Sequence, residues 1–244
     1  MNIAPYQEFA EAKLGGKFSN IELLVTAFTH RSYVNEHKQF VHNERLEFLG
    51  DAVLELVVTE HLYQNYGEPE GILTNWRAAL VRTESIGAAS TRLGVAPLLR
   101  LSRGEKQGSE RAKAQILANA FEAITGALYL ERGYDAAKTF ITDNILSTLD
   151  EILKTGSWRD PKSRLQEVAQ SVDGYTPIYR VLEEEGPDHD KIFTLGVYVD
   201  GKLLGKGSGP SKQFAQQKAA EAAVKYYDKK TAKRGVSEHA AETD

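Results

Sequence analysis

Two hydrophobic patterns divide the chain. Up to about Leu153, apolar residues recur every three or four positions, which is typical of amphipathic α-helices. Beyond residue 160 they alternate in short runs, as half-buried strands do. Glycines separate the helical stretches, because glycine favours the end of a helix. The pattern predicts helices at Ile21–Thr29, Asn43–Tyr66, Leu73–Leu93, Ala112–Leu130 and Ala136–Lys154.

The later part of the chain mixes the two patterns. It predicts a short helix, three strands and a final helix, at Ser163–Gln170, Ile178–Leu182, Phe193–Val199, Lys202–Gly205 and Ser211–Tyr227. Asp200-Gly201 predicts a type I′ hairpin turn, since both central residues of that turn need positive φ. The order is therefore α-β-β-β-α.

These patterns favour a mainly α protein with a smaller α+β domain. A chain of 244 residues is long enough for two domains. We place a helical domain at residues 1–153, a polar linker at 154–159 and the second domain at 160–228. Residues 229–244 have too few apolar side chains to pack, so a disordered tail is expected there.

The amino-acid composition excludes several kinds of catalytic and metal site. The chain has no cysteine, which excludes disulfides, thiolate catalysis and zinc–thiolate sites. Its net charge is −4 and its pI about 5.9, so binding to nucleic acid would require a local basic patch. Neither a signal peptide nor an apolar run long enough for a membrane span is visible, and we expect a cytoplasmic protein with no membrane partner.

Two predicted helices carry unusual polar groups. Glu44, Glu47 and Asp51 are spaced i, i+3 and i+7, which stacks them on one helix face. Asn119 and Glu122 are spaced i and i+3 on a second helix that is otherwise almost wholly apolar. A carboxylate in such surroundings requires a partner, because burying it bare costs several kcal/mol.

A divalent cation between the two helices would satisfy both sets of acids. Oxygen ligands without sulfur select Mg²⁺, with Mn²⁺ as a substitute, over zinc. The alternative is two ordinary solvated acidic faces with Arg45 or Lys113 as surface partners. Spacing alone leaves both interpretations open.

The residues around these acids resemble bacterial ribonuclease III. Asn43-Glu-Arg-Leu-Glu-Phe-Leu-Gly-Asp51 matches the family signature, and three further stretches match in order and spacing: Ala27–Tyr33, Pro69–Gly71 and Ile116–Ala123. The second domain resembles a double-stranded-RNA-binding domain. The resemblance implies an all-helical endonuclease domain that acts as a homodimer. It also implies Mg²⁺-dependent cleavage of double-stranded RNA to 5′-phosphate and 3′-hydroxyl ends with short 3′ overhangs.

The resemblance also implies residue roles. Glu47, Asn119 and Glu122 would hold the metal, with Asp51 and Glu122 closest to the chemistry. Glu44 and Glu70 match further acidic positions of the catalytic valley. The family usually has Asp where this chain has Asn119, which removes one formal charge. One alternative is therefore a catalytically weak or inactive duplex-binding protein, and a second is a structural relative associated with ribosomes.

The second domain supplies candidate RNA contacts. Proteins recognise A-form RNA mainly through its 2′-hydroxyls and phosphates. The resemblance implies that Gln166, Gln170 and His189 contact the minor groove and that Lys212, at the start of the last helix, contacts phosphate. Expected substrates are ribosomal RNA precursors and structured messenger RNA, and no small-molecule cofactor is expected.

Overall fold

The computed structural model describes residues 2–187 and 191–241. The chain divides into two compact units, residues 1–158 and residues 159–244. The helices of the first unit are α1 Ala4–Lys13, α2 Ile21–Ala27, α3 Arg31–Glu36, α4 Glu44–Asn65, α5 Glu70–Val81, α6 Thr83–Leu93, α7 Arg103–Lys106, α8 Glu110–Asn144 and α9 Leu149–Thr155. The second unit contains α10 Pro161–Asp173, β1 Ile178–Glu185, β2 Ile192–Val199, β3 Lys202–Gly209 and α11 Lys212–Ala241.

Helices α4 and α8 form the centre of the first unit. Their inward faces are apolar, with Leu54, Val57 and Phe121 fully buried. Two glycines let the helix backbones approach closely. A Cβ added at Gly50 would overlap the carbonyl oxygen of Glu122, and one added at Gly126 would overlap the Leu46 carbonyl oxygen. Neither glycine can therefore gain a side chain without separating the helices.

Several helices of the first unit begin or end at residues other than those predicted. The predicted helix Leu73–Leu93 is broken at Arg82, whose ψ of 151° is extended, so α5 and α6 are separate. Conversely, α8 continues past the predicted end at Leu130, with only Gly133 outside helical dihedrals. Helix α9 includes Lys154 and Thr155, which were expected to begin the linker. Helices α1, α3 and α7 were not predicted.

The second unit packs helices against an antiparallel sheet with the strand order β1-β2-β3. Asp200 and Gly201 have φ values of 50° and 70°, which confirms the predicted turn between β2 and β3. Alternate residues of β3 are glycines, and a Cβ at Gly205 or Gly207 would overlap the backbone of α11 around Ala219. The final helix therefore lies directly against the strand.

Helix α11 extends to Ala241, beyond the predicted end at Tyr227 and into the segment expected to be a disordered tail. The added residues include several Lys and Ala, which have high helix propensity. Together the two units confirm a mainly α fold with a smaller α+β part. No helix in residues 2–187 or 191–241 is both long and apolar enough to cross a membrane.

Candidate functional site

The acidic residues of α4 lie at a firmly anchored helix start. The side-chain amide of Asn43 donates to the Ala27 carbonyl oxygen at 3.1 Å, and its backbone amide donates to the Thr29 carbonyl oxygen at 2.9 Å. Glu44 and Glu47 then occupy the first turn, where the helix dipole favours negative charge. The two hydrogen bonds of Asn43 thus hold the start of α4 in place and set the direction of its acidic face.

Polar side chains of the two central helices lie near one another. Gln115 Nε2 donates to Asn119 Oδ1 at 2.7 Å. The Asn119 side chain is also near the Glu47 carboxylate, where its polar interaction lowers the pKa of that group. A carboxylate oxygen only accepts hydrogen bonds, so this interaction would come from the Asn119 amide nitrogen. The structure therefore places Glu47 of α4 near Asn119 of α8, and both are predicted metal ligands.

The carboxylates at this crossing favour protonation. Burial, together with the negative charges of Asp51 and Glu47, raises the pKa of Glu122 to about 8. Burial also raises the pKa of Glu47, as do the charges of Glu44 and Asp51, while the polar interaction with Asn119 opposes the rise. Clustered acids with raised pKa values are typical of functional sites.

These groups fit a hard divalent cation by their chemistry. Glu47 and Glu122 supply carboxylate oxygens and Asn119 an amide oxygen, the ligand types that Mg²⁺ accepts. A cation would also reverse the repulsion that raises the pKa of Glu122. Within the part of the chain that the structure describes, no group of three or more His, Cys, Asp or Glu side chains is arranged as a metal-binding cluster.

The three other predicted catalytic acids are Asp51, Glu44 and Glu70, and they differ in their surroundings. Asp51 is exposed to solvent one turn beyond Glu47. The distance between Glu44 Oε1 and Arg31 Nη1 is 3.4 Å. Glu70 begins α5, and its carboxylate accepts a hydrogen bond from the Thr74 hydroxyl at 2.9 Å. The structure gives no contact between Glu70 and the other predicted acids among the described residues.

The sequence interpretation missed an exposed aromatic residue beside the acids. Phe48, the fifth residue of the 22-residue helix α4, is 81% exposed. It lines an apolar groove of about 690 Å³ together with Leu23, Leu49 and Leu130. Its spacing could have indicated this exposure, because Phe48 is i+4 from Glu44 and i−3 from Asp51 and so shares the acidic face.

The predicted RNA contacts of the second unit lie on exposed positions. Gln166 and Gln170 point away from the core face of α10, where Leu165 and Ala169 are fully buried. Lys212 begins α11, and its side chain is about half exposed. His189, the other predicted contact, falls outside the described residues.

The two units define a class of protein: a helical nuclease-like domain followed by an RNA-binding domain of α-β-β-β-α order. Residues 20–149 match the family described as Ribonuclease-III-like. Residues 161–227 match the double-stranded RNA binding motif. The chain belongs to the ribonuclease III family, which confirms the resemblance given by the signature around Glu47.

Characterised relatives support the same assignment along most of the chain. Ribonuclease 3 of Desulforamulus reducens is 42% identical over 221 residues, covering 89% of this chain and 90% of that protein. Ribonuclease 3 of Enterococcus faecalis is 45% identical over 219 residues, covering 87% and 94% respectively. The similarity thus includes both units.

Solved structures resemble the first unit. A nuclease domain of ribonuclease III from Campylobacter jejuni is 40% identical, with a TM-score of 0.51, covering 57% of this chain and 98% of that domain. That structure is described as flexible in a region involved in dimer formation. A second structure of the same nuclease domain is 38% identical with the same TM-score.

Proposed function

We propose that this protein is a Mg²⁺-dependent endonuclease that cuts double-stranded RNA. The observation that supports the proposal is the close crossing of α4 and α8, where Gly50 lies against the Glu122 carbonyl oxygen. There the charges of Asp51 and Glu47 add to burial in raising the pKa of Glu122 to about 8. Without a bound cation, a carboxyl group with this pKa is mostly protonated at neutral pH, and a bound cation would favour its charged form. Membership of the ribonuclease III family supports the same reaction.

Glu47, Asn119 and Glu122 would hold the ion, and Mn²⁺ could replace Mg²⁺ in an oxygen-only site. When bound, the ion lowers the pKa of a water molecule and offsets the charge that develops on the leaving oxygen. Gln115 keeps Asn119 in place through its 2.7 Å hydrogen bond. Asn119 retains an oxygen ligand but lacks the negative charge of Asp, so the site depends more strongly on its two carboxylates.

The remaining acids act beside the ion. Asp51 and Glu122 lie closest to the reacting phosphate, and the exposed position of Asp51 lets it reach a substrate from solvent. Glu44 and Glu70 border the path of the RNA, where they contact water, the RNA or a second ion. Hydrolysis adds water to the phosphorus and releases the 3′ oxygen, which gives the 5′-phosphate and 3′-hydroxyl ends.

The active form is a homodimer. Phe48 projects from α4 beside an apolar groove that it helps to line, and Val41 and Leu130 are also exposed there. Under two-fold symmetry, the same surface meets itself, so Phe48 of each copy can enter the groove of the other. Two cutting centres, one for each strand, then produce short 3′ overhangs. The dimer-forming region described for the Campylobacter jejuni nuclease domain supports this assembly.

The second unit holds the duplex. Gln166 and Gln170 are one helical turn apart on an exposed face, which suits paired contacts to 2′-hydroxyls of the minor groove. Lys212, at the start of α11, binds phosphate, and backbone amides of that first turn assist it. His189 remains a predicted minor-groove contact from the sequence.

The natural substrates are ribosomal RNA precursors and structured messenger RNA, in the cytoplasm. These assignments follow the family resemblance. The alternative of an inactive duplex-binding protein rests on Asn119 alone, and the matches to proteins named Ribonuclease 3 give it no support. A ribosome-associated structural relative would bind ribosomes but no free duplex.

Cleavage of a perfect RNA duplex by the purified full-length protein tests the proposal. We expect cutting with Mg²⁺ or Mn²⁺ and none with EDTA, and end mapping should give 5′-phosphates and short 3′ overhangs. Glu122→Gln should bind the duplex without cutting it, whereas Glu151→Gln, a change at an exposed position of α9, should cut normally. Uncut duplex across titrations of both metals would reject the proposed reaction.

A further inference from the structure

The lysine proposed to bind phosphate already has an anionic partner within the protein. Lys212 Nζ lies 2.8 Å from Glu184 Oε1. The other oxygen of the same carboxylate, Glu184 Oε2, lies 4.0 Å from Lys191 Nζ. One carboxylate therefore stands between two ammonium groups at the edge of the proposed RNA surface.

The register of the sheet fixes this arrangement. Glu184 is paired with Phe193 across β1 and β2, and Phe193 is paired with Gly209 across β2 and β3. Side chains of directly paired residues project from the same face of a sheet. A Cβ at Gly209 would run into the ring of Phe214, so this face is the one that α11 covers. Lys212 begins that helix only three residues after Gly209.

Contacts on both sides hold the pair in place. The Lys212 ammonium lies 5.3 Å from the centre of the Phe193 ring. Its hydrogen bond to Glu184 lowers the pKa of that carboxyl group, so Glu184 stays negatively charged at neutral pH. Lys212 is consequently presented to RNA with its charge already partly neutralised.

We infer that Glu184 competes with RNA phosphate for Lys212 and thereby limits the affinity of this domain for duplex RNA. This role rests on the proposed function, in which Lys212 binds phosphate. An arriving phosphate must share Lys212 with a carboxylate that repels it, or displace that carboxylate. Because an exposed ion pair is weak, RNA phosphate can still bind Lys212. The competition therefore lowers the affinity for RNA by only a small factor. Removing the carboxylate should therefore tighten binding.

The opposite role for Glu184 makes the opposite prediction. If the carboxylate served RNA binding by orienting Lys212, its removal would let the long lysine side chain move and would weaken binding. The sign of the change in affinity therefore decides between competition and orientation.

The test measures binding of the full-length protein to a fluorescent RNA duplex of about 22 base pairs, longer than the roughly 16 that one such domain spans. EDTA prevents cleavage, and fluorescence anisotropy gives Kd across a KCl series. We expect Glu184→Gln to bind about two- to fivefold more tightly than the unchanged protein. The dependence of log Kd on log salt should become steeper, because Lys212 no longer carries an internal counter-charge.

Glu183→Gln is the matched control. Glu183 carries the same charge and neighbours Glu184 on β1, but it is paired with Thr194 and projects from the other face. It reports the effect of net charge alone. The gain in affinity from Glu184→Gln must be larger than that from Glu183→Gln. This excess must shrink when Lys212→Gln is also present, since only the more distant Lys191 ammonium, 4.0 Å from Glu184, then remains to be freed.

The outcomes separate this inference from the proposed function. If the unchanged protein binds no duplex, or if Lys212→Gln binds as well as the unchanged protein, the proposed phosphate contact fails and the inference fails with it. If Lys212→Gln weakens binding but Glu184→Gln equals Glu183→Gln or binds less tightly, the competition alone is overturned. Circular dichroism melts check folding, and Glu184→Thr, which suits a strand, removes the same charge should Glu184→Gln fold poorly.

Discussion

Replacing Glu122 by Gln should make the metal-free protein more stable at high pH and leave its stability unchanged at low pH. Glutamine preserves the size of the side chain but has no charge to bury. The folded state raises the pKa of Glu122 from 4.5 to about 8. The protonated carboxyl is therefore the form that folding favours, and its stabilising contribution is complete below pH 4.5 and lost as the pH rises through about 8.

The size of the effect follows from that pKa. A rise from 4.5 to about 8 corresponds to about 5 kcal/mol at roughly 1.4 kcal/mol for each pKa unit. Solvent reaches part of the Glu122 side chain, and screening reduces the expected value to about 2 kcal/mol. At about pH 9, the free energy of unfolding of Glu122→Gln should thus be about 2 kcal/mol higher than that of the unchanged protein. At about pH 4.5, the two proteins should have equal free energies of unfolding.

Urea unfolding in EDTA, followed by tryptophan fluorescence, measures this difference. Both tryptophans, Trp76 and Trp158, lie in the first unit with ring centres 6.0 Å apart, so the signal reports on the unit that contains Glu122. Glu151→Gln, at an exposed position of α9, should show no such change with pH. The reasoning would be refuted by a Glu122→Gln advantage that is absent at pH 9 or equal at both pH values.

Three further changes test separate parts of the structure. Gly50→Ala should destabilise the first unit by about 3 kcal/mol or more, because its Cβ overlaps the Glu122 carbonyl oxygen; an unchanged urea midpoint would contradict the close helix crossing. Phe48→Ala should convert the proposed dimer to a monomer in analytical ultracentrifugation, and a persisting dimer would place the interface elsewhere. Asn119→Asp adds a negative charge that should strengthen binding of the ion by about 1 kcal/mol or more, so half-maximal cleavage should need about fivefold less Mg²⁺. An equal or higher Mg²⁺ concentration at half-maximal cleavage would oppose Asn119 as a metal ligand.

Local patterns in the sequence predicted most of the elements. The acidic face of α4 follows from a 3.6-residue period, and the turn at Asp200-Gly201 follows from residue types that tolerate positive φ. The break at Arg82 has no glycine or proline to mark it. There the Ser85 hydroxyl donates to the Ala79 carbonyl oxygen at 2.8 Å, a contact across the joint that periodicity does not reveal.

Features that depend on distant residues were not predictable in the same way. A cation shared by Glu47 and Glu122 was one of two interpretations that the sequence left open, and only the family resemblance favoured it, since no spacing rule connects α4 with α8. The ion pair between Glu184 and Lys212 requires the register of three strands, which the alternating pattern alone does not specify. Phe48 is apolar by residue type, yet its position on the helix places it with the acids.

Anomalous X-ray scattering from crystals grown with Mn²⁺ most directly tests the central claim, that oxygens of α4 and α8 hold the ion used to cut RNA. We expect an anomalous peak bounded by the side-chain oxygens of Glu47, Asn119 and Glu122, and its loss in Glu122→Gln. A protein that cuts duplex RNA with Mn²⁺ while its crystals bind the ion elsewhere would contradict the account.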